Sequence, residues 1–364
     1  MEDREEGTEG FEPVMMDLFK QMKMENHEQL LVCSDPASKL QALIAIHNTT
    51  LGPALGGCRM WPYESFDAAL SDVLRLSRAM TYKAAVSDLP LGGGKSVIWG
   101  DALKDKTPAM LESFACHVAA LGGRYIVAED VGISLEDIEI VRKTNPHVAG
   151  FSLKDGGSGD PSPATAYGVF SGMRACLEEV YGKDSFEGRR VAIQGLGKVG
   201  SALAKLLHEA GASLYVSDMD PERVAKAIRA YGADPIHGHE VYRVDCDIFA
   251  PCALGGIINE RSIAYLSCRI IAGAANNQLK DLEIASELGR RNILYAPDYV
   301  LNAGGLINIA EELTGYDQER AYQKIAKIYD RVKMVFALSK EKSVSTAKAA
   351  ELLAEKRLKE GKRI

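Results

Sequence analysis

One glycine-rich segment constrains the fold of this chain more than any other feature of its sequence. A buried-strand pattern at residues 190–194 runs into Gly195-Leu-Gly-Lys-Val-Gly200, which opens a helical segment, and the next strand pattern ends at Asp218. Glycines at Gly195, Gly197 and Gly200 permit a tight turn, close approach of a pyrophosphate and close packing of helix on strand. The helix N-terminus supplies N–H donors for phosphates. The segment therefore predicts a dinucleotide-binding βαβ unit.

The acid at the end of the second strand predicts which dinucleotide binds. Asp218 is placed to accept hydrogen bonds from the adenosine ribose hydroxyls, and its carboxylate repels a 2′-phosphate, so NAD is favoured over NADP. Further alternation of helix and strand patterns over residues 221–295 predicts a parallel, doubly wound sheet around this unit.

Length and charge restrict the class of protein. The 364 residues exceed the usual size of one core, so we expect two domains. The loop at 150–163 contains four glycines and two prolines and marks the boundary. We expect a first domain over 1–149, a second over 150–334, and C-terminal helices, from about residue 335, that return to the first. The net charge of −7 disfavours a nucleic acid or a membrane surface as partner.

The cysteines predict a cellular location rather than a site. All seven are scattered without a Cys-x-x-Cys pair, which is typical of free thiols in a reducing compartment. The acidic N-terminal segment lacks the apolar core of a signal peptide, and no apolar run is long enough to span a membrane. We expect a cytoplasmic protein. The histidines show no metal-ligand spacing, so no metal site is expected.

Two lysines in the first half are candidate functional residues. Lys83 follows a helical pattern over 65–81, and Lys95 follows the glycines at 92–94. Glycines let a backbone bend sharply or approach a ligand closely, and we expect those at 92–94 to deliver Lys95 into an apolar surrounding, where burial makes a lysine usable as an acid or base. An ordinary surface or salt-bridged lysine is the alternative for both. Lys95 with its two neighbours also matches the end of a nucleotide phosphate loop, but Leu89 stands where that motif requires glycine, which excludes it.

Two further segments could contribute to a small-molecule site. The strand pattern at 125–128 ends in Glu129 and Asp130, at the carboxyl edge where ligands bind in α/β sheets. Asp130 is a candidate acid–base group, and a simple ion pair with a lysine is the alternative. The glycine-rich residues 49–60 could line a site through their backbone or form a hairpin turn.

Several blocks along the chain, taken together, resemble one known family. The sequence is similar to the glutamate/leucine/phenylalanine/valine dehydrogenases, and within them most closely to the leucine type, from about residue 28 to residue 320. The blocks that carry the resemblance occur in the family's order at residues 51–60, 80–83, 90–95, 128–132, 161–168, 195–200, 251–256, 273–278 and 296–305.

The resemblance implies both architecture and activity. It implies an N-terminal α/β domain for substrate binding and oligomerisation, a Rossmann-type domain for NAD, and a homo-oligomer as large as an octamer. It also implies oxidative deamination, in which an apolar L-amino acid, NAD and water give a 2-oxo acid, ammonia and NADH.

The resemblance assigns the reacting groups to three residues and their helpers. Lys83 would bind the substrate carboxylate with help from Asn277, and Lys95 would activate the water that attacks the imino acid. Asp130 would carry protons to and from the amine. Gly56 would approach the substrate or the nicotinamide through its backbone.

The family's pattern assigns further residues to the coenzyme. Thr165 would hydrogen-bond the nicotinamide carboxamide and so fix which face of the ring receives the hydride. Asn276 would lie near the nicotinamide ribose, and Asp218 would hold the adenosine ribose.

The resemblance also implies a pocket for the substrate side chain, lined by residues that are all apolar: Leu55, Ala128, Ala149, Leu306 and Ile309. An apolar lining disfavours a charged side chain such as that of glutamate. Ala128 fits the leucine type, whereas Leu306 is typical of the phenylalanine type and Ala149 widens one wall. Leucine, isoleucine and valine are therefore the expected substrates, and phenylalanine is the alternative.

A dinucleotide-binding regulator that has lost catalysis is the alternative from another class of protein. The presence of Lys83, Lys95 and Asp130 argues against it, because such a protein would be expected to have lost at least one of the reacting groups.

Overall fold

The computed structural model describes residues 14–361, in which the strands form two sheets. The first is mixed, with five strands in the order β1-β2-β4-β3-β5. β2 pairs antiparallel with β1 and β4, while β3 pairs in parallel with β4 and β5. These strands are β1 (Gln29–Asp35), β2 (Leu40–Asn48), β3 (Ala54–Trp61), β4 (Gly92–Trp99) and β5 (Tyr125–Ala128).

The second sheet is parallel throughout, in the order β11-β10-β9-β6-β7-β8, which confirms the predicted doubly wound sheet. The direction of chain progression reverses at β6, and a crevice at such a reversal is where ligands bind. The pattern analysis missed the short edge strand β8. The six strands are β6 (Arg190–Gln194), β7 (Ser213–Ser217), β8 (Asp234–Pro235), β9 (Ile248–Pro251), β10 (Ile270–Ile271) and β11 (Leu294–Tyr295).

Helices cover the sheets and join them. Ser65 caps α2, Thr107 caps α3 with Pro108 at its first position, and Ser134 forms a capping box with Asp137 at the start of α4. The α-helices are α1 (Val14–Glu25), α2 (Phe66–Val86), α3 (Pro108–Ala119), α4 (Leu135–Thr144), α5 (Ser162–Tyr181), α6 (Lys198–Glu209), α7 (Pro221–Tyr231), α8 (Leu282–Arg290), α9 (Asp298–Leu301), α10 (Gly304–Ala310), α11 (Gln318–Ala326), α12 (Ile328–Lys342) and α13 (Thr346–Gly361).

The lysine segment differs from expectation in two respects. Helix α2 does not end near residue 81 but continues to Val86, so Lys83 lies in its last turn. The glycines before Lys95 do not bend the chain sharply, because they are the first residues of the buried strand β4. A Cβ on Gly93 would lie 2.0 Å from the backbone nitrogen of Thr81, so the glycine is needed for α2 to pack directly on β4.

The hairpin alternative for residues 49–60 is also wrong. Ala54–Trp61 form the strand β3, which lies between two parallel neighbours, β4 and β5. A hairpin would instead join two antiparallel strands by a short turn. The carboxyl ends of these three strands consequently point to the same edge of the sheet.

The C-terminal helices connect the two halves of the molecule. Helix α13 packs against both α2 and α12, and Arg357 on α13 pairs with Asp88 just beyond α2 at 2.6 Å. One apolar cluster correspondingly includes Leu55 and Ala84 from the first half together with Leu301 and Val332 from the second. The domain boundary near residue 150 stays a prediction. Among the helices of residues 14–361, none combines the length and apolarity needed to cross a bilayer.

Candidate active site

A cleft between the carboxyl edges of the two sheets brings most of the predicted site residues together. It encloses a cavity of about 590 Å³. The predicted residues that line it are Leu55, Lys83, Lys95, Ala128, Asp130, Thr165, Asn276, Asn277, Leu306 and Ile309. The residues predicted from the glycine fingerprint, together with Gly56 and Ala149, do not line this cavity.

Lys95 and Asp130 are in contact because Gly57, which lies between them, has no side chain. Lys95 is 6% exposed, and its Nζ lies 2.7 Å from Oδ2 of Asp130. The strand register places Gly57 between β4 and Ala128 of β5. A Cβ on Gly57 would lie 2.8 Å from Cβ of Asp130 and closer still to the carbonyl of Glu129. Glycine at this position therefore leaves the space in which the lysine reaches the carboxylate.

A second cation holds the same carboxylate oxygen. Nε of Arg59, on β3, donates to Oδ2 of Asp130 at 3.1 Å. Burial alone would raise the pKa of the Asp130 carboxyl, but Lys95 and Arg59 outweigh it and hold the pKa below its ordinary value. Asp130 is therefore ionised at neutral pH and able to accept a proton.

Lys83 enters the cavity from the last turn of α2. Burial in the cleft, opposed by the charge of Asp298 and reinforced by that of Lys95, lowers its pKa to about 8. Desolvation is the larger cause of this shift, and the charge of Lys95 acts in the same direction. Nζ of Lys83 donates to Oδ1 of Asn276 at 3.4 Å.

Asp298 is a buried acid near this lysine. Its carboxylate accepts hydrogen bonds from the backbone N–H groups of Gln278 at 3.1 Å and Tyr299 at 2.8 Å. Burial raises its pKa against the opposing effects of the Gln278 amide and Lys83. The neighbouring Asn302 donates to Oδ1 of Asn276 at 2.8 Å, which orients the asparagine that contacts Lys83.

The far end of the cavity is apolar, as expected for the substrate side chain. Leu55, Ala128, Leu306 and Ile309 contribute to it and are all at most 8% exposed. Ala149 is fully buried behind this wall, where its N–H donates to the carbonyl of Val127 on β5. It therefore shapes the pocket from outside the lining.

Close packing of α10 on α5 positions Thr165 at the cleft. A Cβ on Gly304 would lie 2.1 Å from the Ala164 carbonyl, and one on Gly305 would lie 2.6 Å from Oγ1 of Thr165. Both glycines therefore allow the helices to approach. Oγ1 of Thr165 donates to the carbonyl of Pro161 at 3.0 Å, which leaves its lone pairs to accept a donor from the cleft.

The glycine fingerprint has the shape that a dinucleotide requires. Gly195 has φ +99°, and a Cβ on Gly200 would lie 2.0 Å from the Gly195 carbonyl, so both glycines are demanded by the turn and by helix packing. Gly197 is the N-cap of α6 without a capping side chain, and a Cβ there would meet no atom within 4 Å. This open backbone with unpaired N–H groups fits a pyrophosphate.

Asp218 stands at the end of β7 beside this turn. Its Oδ2 accepts the N–H of Leu196 at 2.5 Å and its Oδ1 accepts that of Asp220 at 2.8 Å. A carboxylate has about four acceptor sites, so capacity remains for ribose hydroxyls. Arg223 approaches Asp218 to 3.8 Å from the exposed side.

Gly56 lies behind the cavity rather than on it. Its carbonyl accepts the hydroxyl of Tyr125 at 2.7 Å, and a Cβ there would lie 1.8 Å from the carbonyl of Gly94. The adjacent Gly57 lines the cavity instead. The role predicted for Gly56 is therefore not supported by its position.

The sequence analysis missed three polar or backbone contributors: Gly57, Arg59 and Asp298. Each lies within a block used for the resemblance, so the signal was present but not assigned. Alternation along β3 could have identified Arg59, because it lies two residues from Gly57 and so on the same face as the lysine and the carboxylate.

Family models match nearly all of the described chain. Residues 27–147 match the model described as Glu/Leu/Phe/Val dehydrogenase, dimerisation domain. Residues 156–222 and 216–363 match the model described as glutamate/leucine/phenylalanine/valine dehydrogenase. The first match contains helix α2, which carries Lys83, and the mixed sheet. The second match contains the glycine fingerprint at residues 195–200.

Several relatives are similar over almost their full length. A leucine dehydrogenase of Geobacillus stearothermophilus is 52% identical over 94% of both chains. A leucine dehydrogenase of Bacillus subtilis is 49% identical over 96% of both chains. The crystal structure of an L-tryptophan dehydrogenase from Nostoc punctiforme is 43% identical, covers 95% of this chain and all of its own, and superposes with a TM-score of 0.84.

Fold, cleft and similarity therefore agree with the resemblance seen in the sequence. The chain is an oxidoreductase of the amino-acid dehydrogenase type, and it belongs to the glutamate/leucine/phenylalanine/valine dehydrogenase family.

Proposed function

We propose that this protein catalyses NAD-dependent oxidative deamination of the branched-chain amino acids leucine, isoleucine and valine. The products are the 2-oxo acid, ammonia and NADH. The observation that carries the proposal is the 2.7 Å contact between Lys95 and Asp130 in the same apolar-ended cavity as Lys83. A cation for the carboxylate, a base for the amine and an apolar end for the side chain match the three parts of such a substrate.

The substrate carboxylate is assigned to Lys83. With a pKa of about 8 this lysine is largely charged at neutral pH, and Asn276 already contacts its Nζ. Asn277 lines the cavity and is proposed as the second carboxylate contact. Anchoring the carboxylate here points the substrate side chain toward Leu306 and Ile309.

The amine and the water are assigned to the other two groups. Asp130 takes the proton from the substrate ammonium, because hydride leaves the α-carbon most readily when the amine is neutral. Lys95, in its uncharged form, then takes a proton from the water that attacks the iminium carbon. The protonated Asp130, which lies in contact with Lys95, returns its proton to the amine of the resulting carbinolamine. Loss of ammonia completes the 2-oxo acid.

The coenzyme is assigned to the turn after β6. When bound, NAD accepts the hydride from the α-carbon of the substrate. Gly195, Gly197 and Gly200 would cradle the pyrophosphate, and Asp218 would hold the adenosine ribose and repel a 2′-phosphate. Thr165 would orient the nicotinamide carboxamide. Asn276 would contribute near the nicotinamide ribose.

The preference for branched aliphatic side chains rests on the apolar pocket and on the relatives. Leucine dehydrogenases of several bacilli are 47–52% identical to this chain. Phenylalanine is the second candidate, since Leu306 and Ala149 depart from the leucine type and a phenylalanine dehydrogenase is 45% identical. One methylene in such a pocket changes discrimination by only about 1–3 kcal/mol, so substrate ranges overlap.

Assembly and location complete the proposal. We assign residues 1–149 to substrate binding and oligomerisation and residues 150–334 to NAD, with the helices from about 335 returning to the first domain. The matched dimerisation model supports a homo-oligomer. The seven free thiols suit a reducing compartment, which supports a cytoplasmic location.

The test is a coenzyme assay with two coenzymes. NADH or NADPH formation from L-leucine is followed at matched concentrations for the wild type and for Asp218→Ser. The wild type is expected to prefer NAD, and the variant to lose most of that preference because the repulsion of the 2′-phosphate is gone. Equal use of NADP by the wild type would overturn the role given to Asp218.

A further inference from the structure

Arg59 is a charged residue in the cleft that the chemistry above does not use. It lines the cavity from β3, and its side chain is 23% exposed. Backbone pairing of β3 with the segment after β5, through the N–H of Met60 and the carbonyl of Val131 at 2.9 Å, sets it beside Asp130. Two residues earlier on the same face of β3 is Gly57, which has no side chain to intervene.

Arg59 joins two carboxylates. Its Nε donates to Asp130 at 3.1 Å and its Nη1 donates to Asp72, on α2, at 2.9 Å. Asp72 is itself fixed by the hydroxyl of Tyr63 at 2.7 Å and by Arg75 at 2.7 Å. The hydrogen bonds to Asp130 and Asp72 therefore fix the orientation of the guanidinium plane. An arginine that acted only through its charge would not require a fixed orientation.

Both cations on Asp130 contact one oxygen. The side-chain hydrogen bonds and ion pairs that Asp130 makes with other side chains within residues 14–361 all end on Oδ2, from Lys95 at 2.7 Å and Arg59 at 3.1 Å. The backbone N–H of Val131 also donates to the carboxylate. Neither cation contacts the second oxygen, Oδ1, which keeps the capacity to accept a further donor. A carboxylate with one oxygen fixed cannot rotate freely, so its remaining lone pairs keep one direction.

We propose that Arg59 is a positioning residue that holds Asp130 by Oδ2 and reserves Oδ1 for the proton of the substrate ammonium. That the proton comes from a substrate ammonium rests on the proposed function. The effect of Arg59 on the Asp130 carboxylate does not. The competing explanation is structural, in which Arg59 only ties β3 to α2 through Asp72.

The charge of Arg59 also favours the ionised carboxylate. Removing it leaves Asp130, among residues 14–361, with the ion pair to Lys95 alone, so the pKa of the carboxyl is expected to rise. The other titratable or charged groups that interact with Asp130 stay in place: Lys83, Lys95, Glu129, Tyr63, Cys58 and Tyr125.

The first measurement is the pH profile of kcat/KM for L-leucine. Arg59→Gln is expected to move the acidic limb to higher pH by about 1 unit, because an adjacent opposite charge lowers a carboxyl pKa by 1–3 units. Arg59→Lys keeps the charge and is expected to shift the limb less. An acidic limb unchanged in Arg59→Gln would overturn the proposal.

Two control variants separate positioning from scaffolding. Asp72→Ala breaks the tie to α2 but keeps the cation on Asp130, so its acidic limb should not move upward. Arg189→Gln removes a similarly half-buried arginine that pairs with Asp247 at 3.2 Å, at the opposite end of β6 from the glycine turn, and should leave the profile unchanged. An upward shift in Asp72→Ala equal to that in Arg59→Gln would support scaffolding instead.

A measurement that does not depend on catalytic turnover tests the role of Arg59 independently of the proposed function. The carboxyl carbon of Asp130 is titrated by NMR in ¹³C-labelled protein and is assigned by its loss in Asp130→Asn. A higher pKa in Arg59→Gln supports the role of Arg59 even in a protein that oxidises no amino acid. An unchanged pKa in a fully active enzyme would overturn the inference and leave the proposed function standing.

Discussion

At the scale of single residues, the protonation state of each ionisable side chain in the site depends on its burial and on the charges of its neighbours. Lys83 is shifted toward neutrality mainly by desolvation, while Asp130 stays ionised because Lys95 and Arg59 outweigh its burial. Both residues line one cavity, where the proposed mechanism uses Lys83 as the carboxylate anchor and Asp130 as the proton acceptor.

Substitution of Lys95 tests the proposed water step. Lys95→Ala is expected to reduce kcat for L-leucine by about 10²–10⁴-fold, the usual contribution of a positioned acid–base group. Lys104→Ala is the control, because Lys104 is 79% exposed in the same half of the chain. Thermal melts of both variants establish that they fold. Near-normal kcat in folded Lys95→Ala would contradict the assignment.

The pKa of Lys83 predicts how carboxylate binding depends on pH. The charged form binds the carboxylate, so affinity should be full well below pH 8 and should fall by about tenfold per pH unit well above it. Calorimetric titration with 4-methylpentanoate between pH 6 and pH 10 measures this.

The variant Lys83→Gln provides the reference for that titration. It should bind 4-methylpentanoate weakly and with little change over the same pH range. Affinity of the wild type that stays constant to pH 10 would show that this lysine is not the anchor.

At the scale of elements, glycine acts here through close packing more than through flexibility. We expected Gly92–Gly94 to bend the chain, and instead they form a flat strand on which α2 lies directly. The same contact carries Lys83, two residues beyond Thr81, to the cleft that contains Lys95. The spatial arrangement of the two lysines thus depends on a helix–strand contact.

Substitution of Gly93 tests this dependence. In Gly93→Ala the new methyl would overlap Thr81, so α2 must move; we expect a loss of about 1–3 kcal/mol in the free energy of unfolding and a fall in kcat/KM. Gly289→Ala is the control, because a Cβ there meets no atom within 4 Å.

The control substitution should act in the opposite direction. An alanine within α8 is expected to stabilise the protein by about 0.5–1 kcal/mol without changing activity. Urea unfolding and steady-state kinetics give both quantities. Equal stability and activity of Gly93→Ala and the wild type would show that α2 does not need the contact.

Local patterns predicted most elements but not how they pack. Capping residues such as Thr107 and Ser134 act through hydrogen bonds to nearby residues, so local sequence is enough to indicate where α3 and α4 start. The end of α2 was wrong because tertiary packing extends the helix past residue 81. Strand β8 was missed because two residues carry no periodicity.

The same limit applies to the site. Lys83, Lys95 and Asp130 were recognisable in the sequence because each lies in a distinctive block. Arg59 and Gly57 were not assigned, since their roles arise from the lateral register of β3 between β4 and β5, which joins distant parts of the chain.

At the scale of the whole molecule, the cleft lies where the carboxyl edges of two sheets face each other. One side of the cleft contains Lys83, Lys95 and Asp130, and the other contains Asn276 and Thr165. Helix α13 packs on α2 of the first half and on α12 of the second. In the proposed mechanism the substrate would be held between these two sides.

The central claim is tested most directly by the absorbance of NADH at 340 nm with a panel of L-amino acids. Leucine, isoleucine and valine should be oxidised with the highest kcat/KM, phenylalanine more slowly, and glutamate poorly, because the cavity residues assigned to the substrate side chain, Leu55, Ala128, Leu306 and Ile309, are all apolar. Turnover of glutamate above leucine, or of none of the apolar amino acids, would contradict the account.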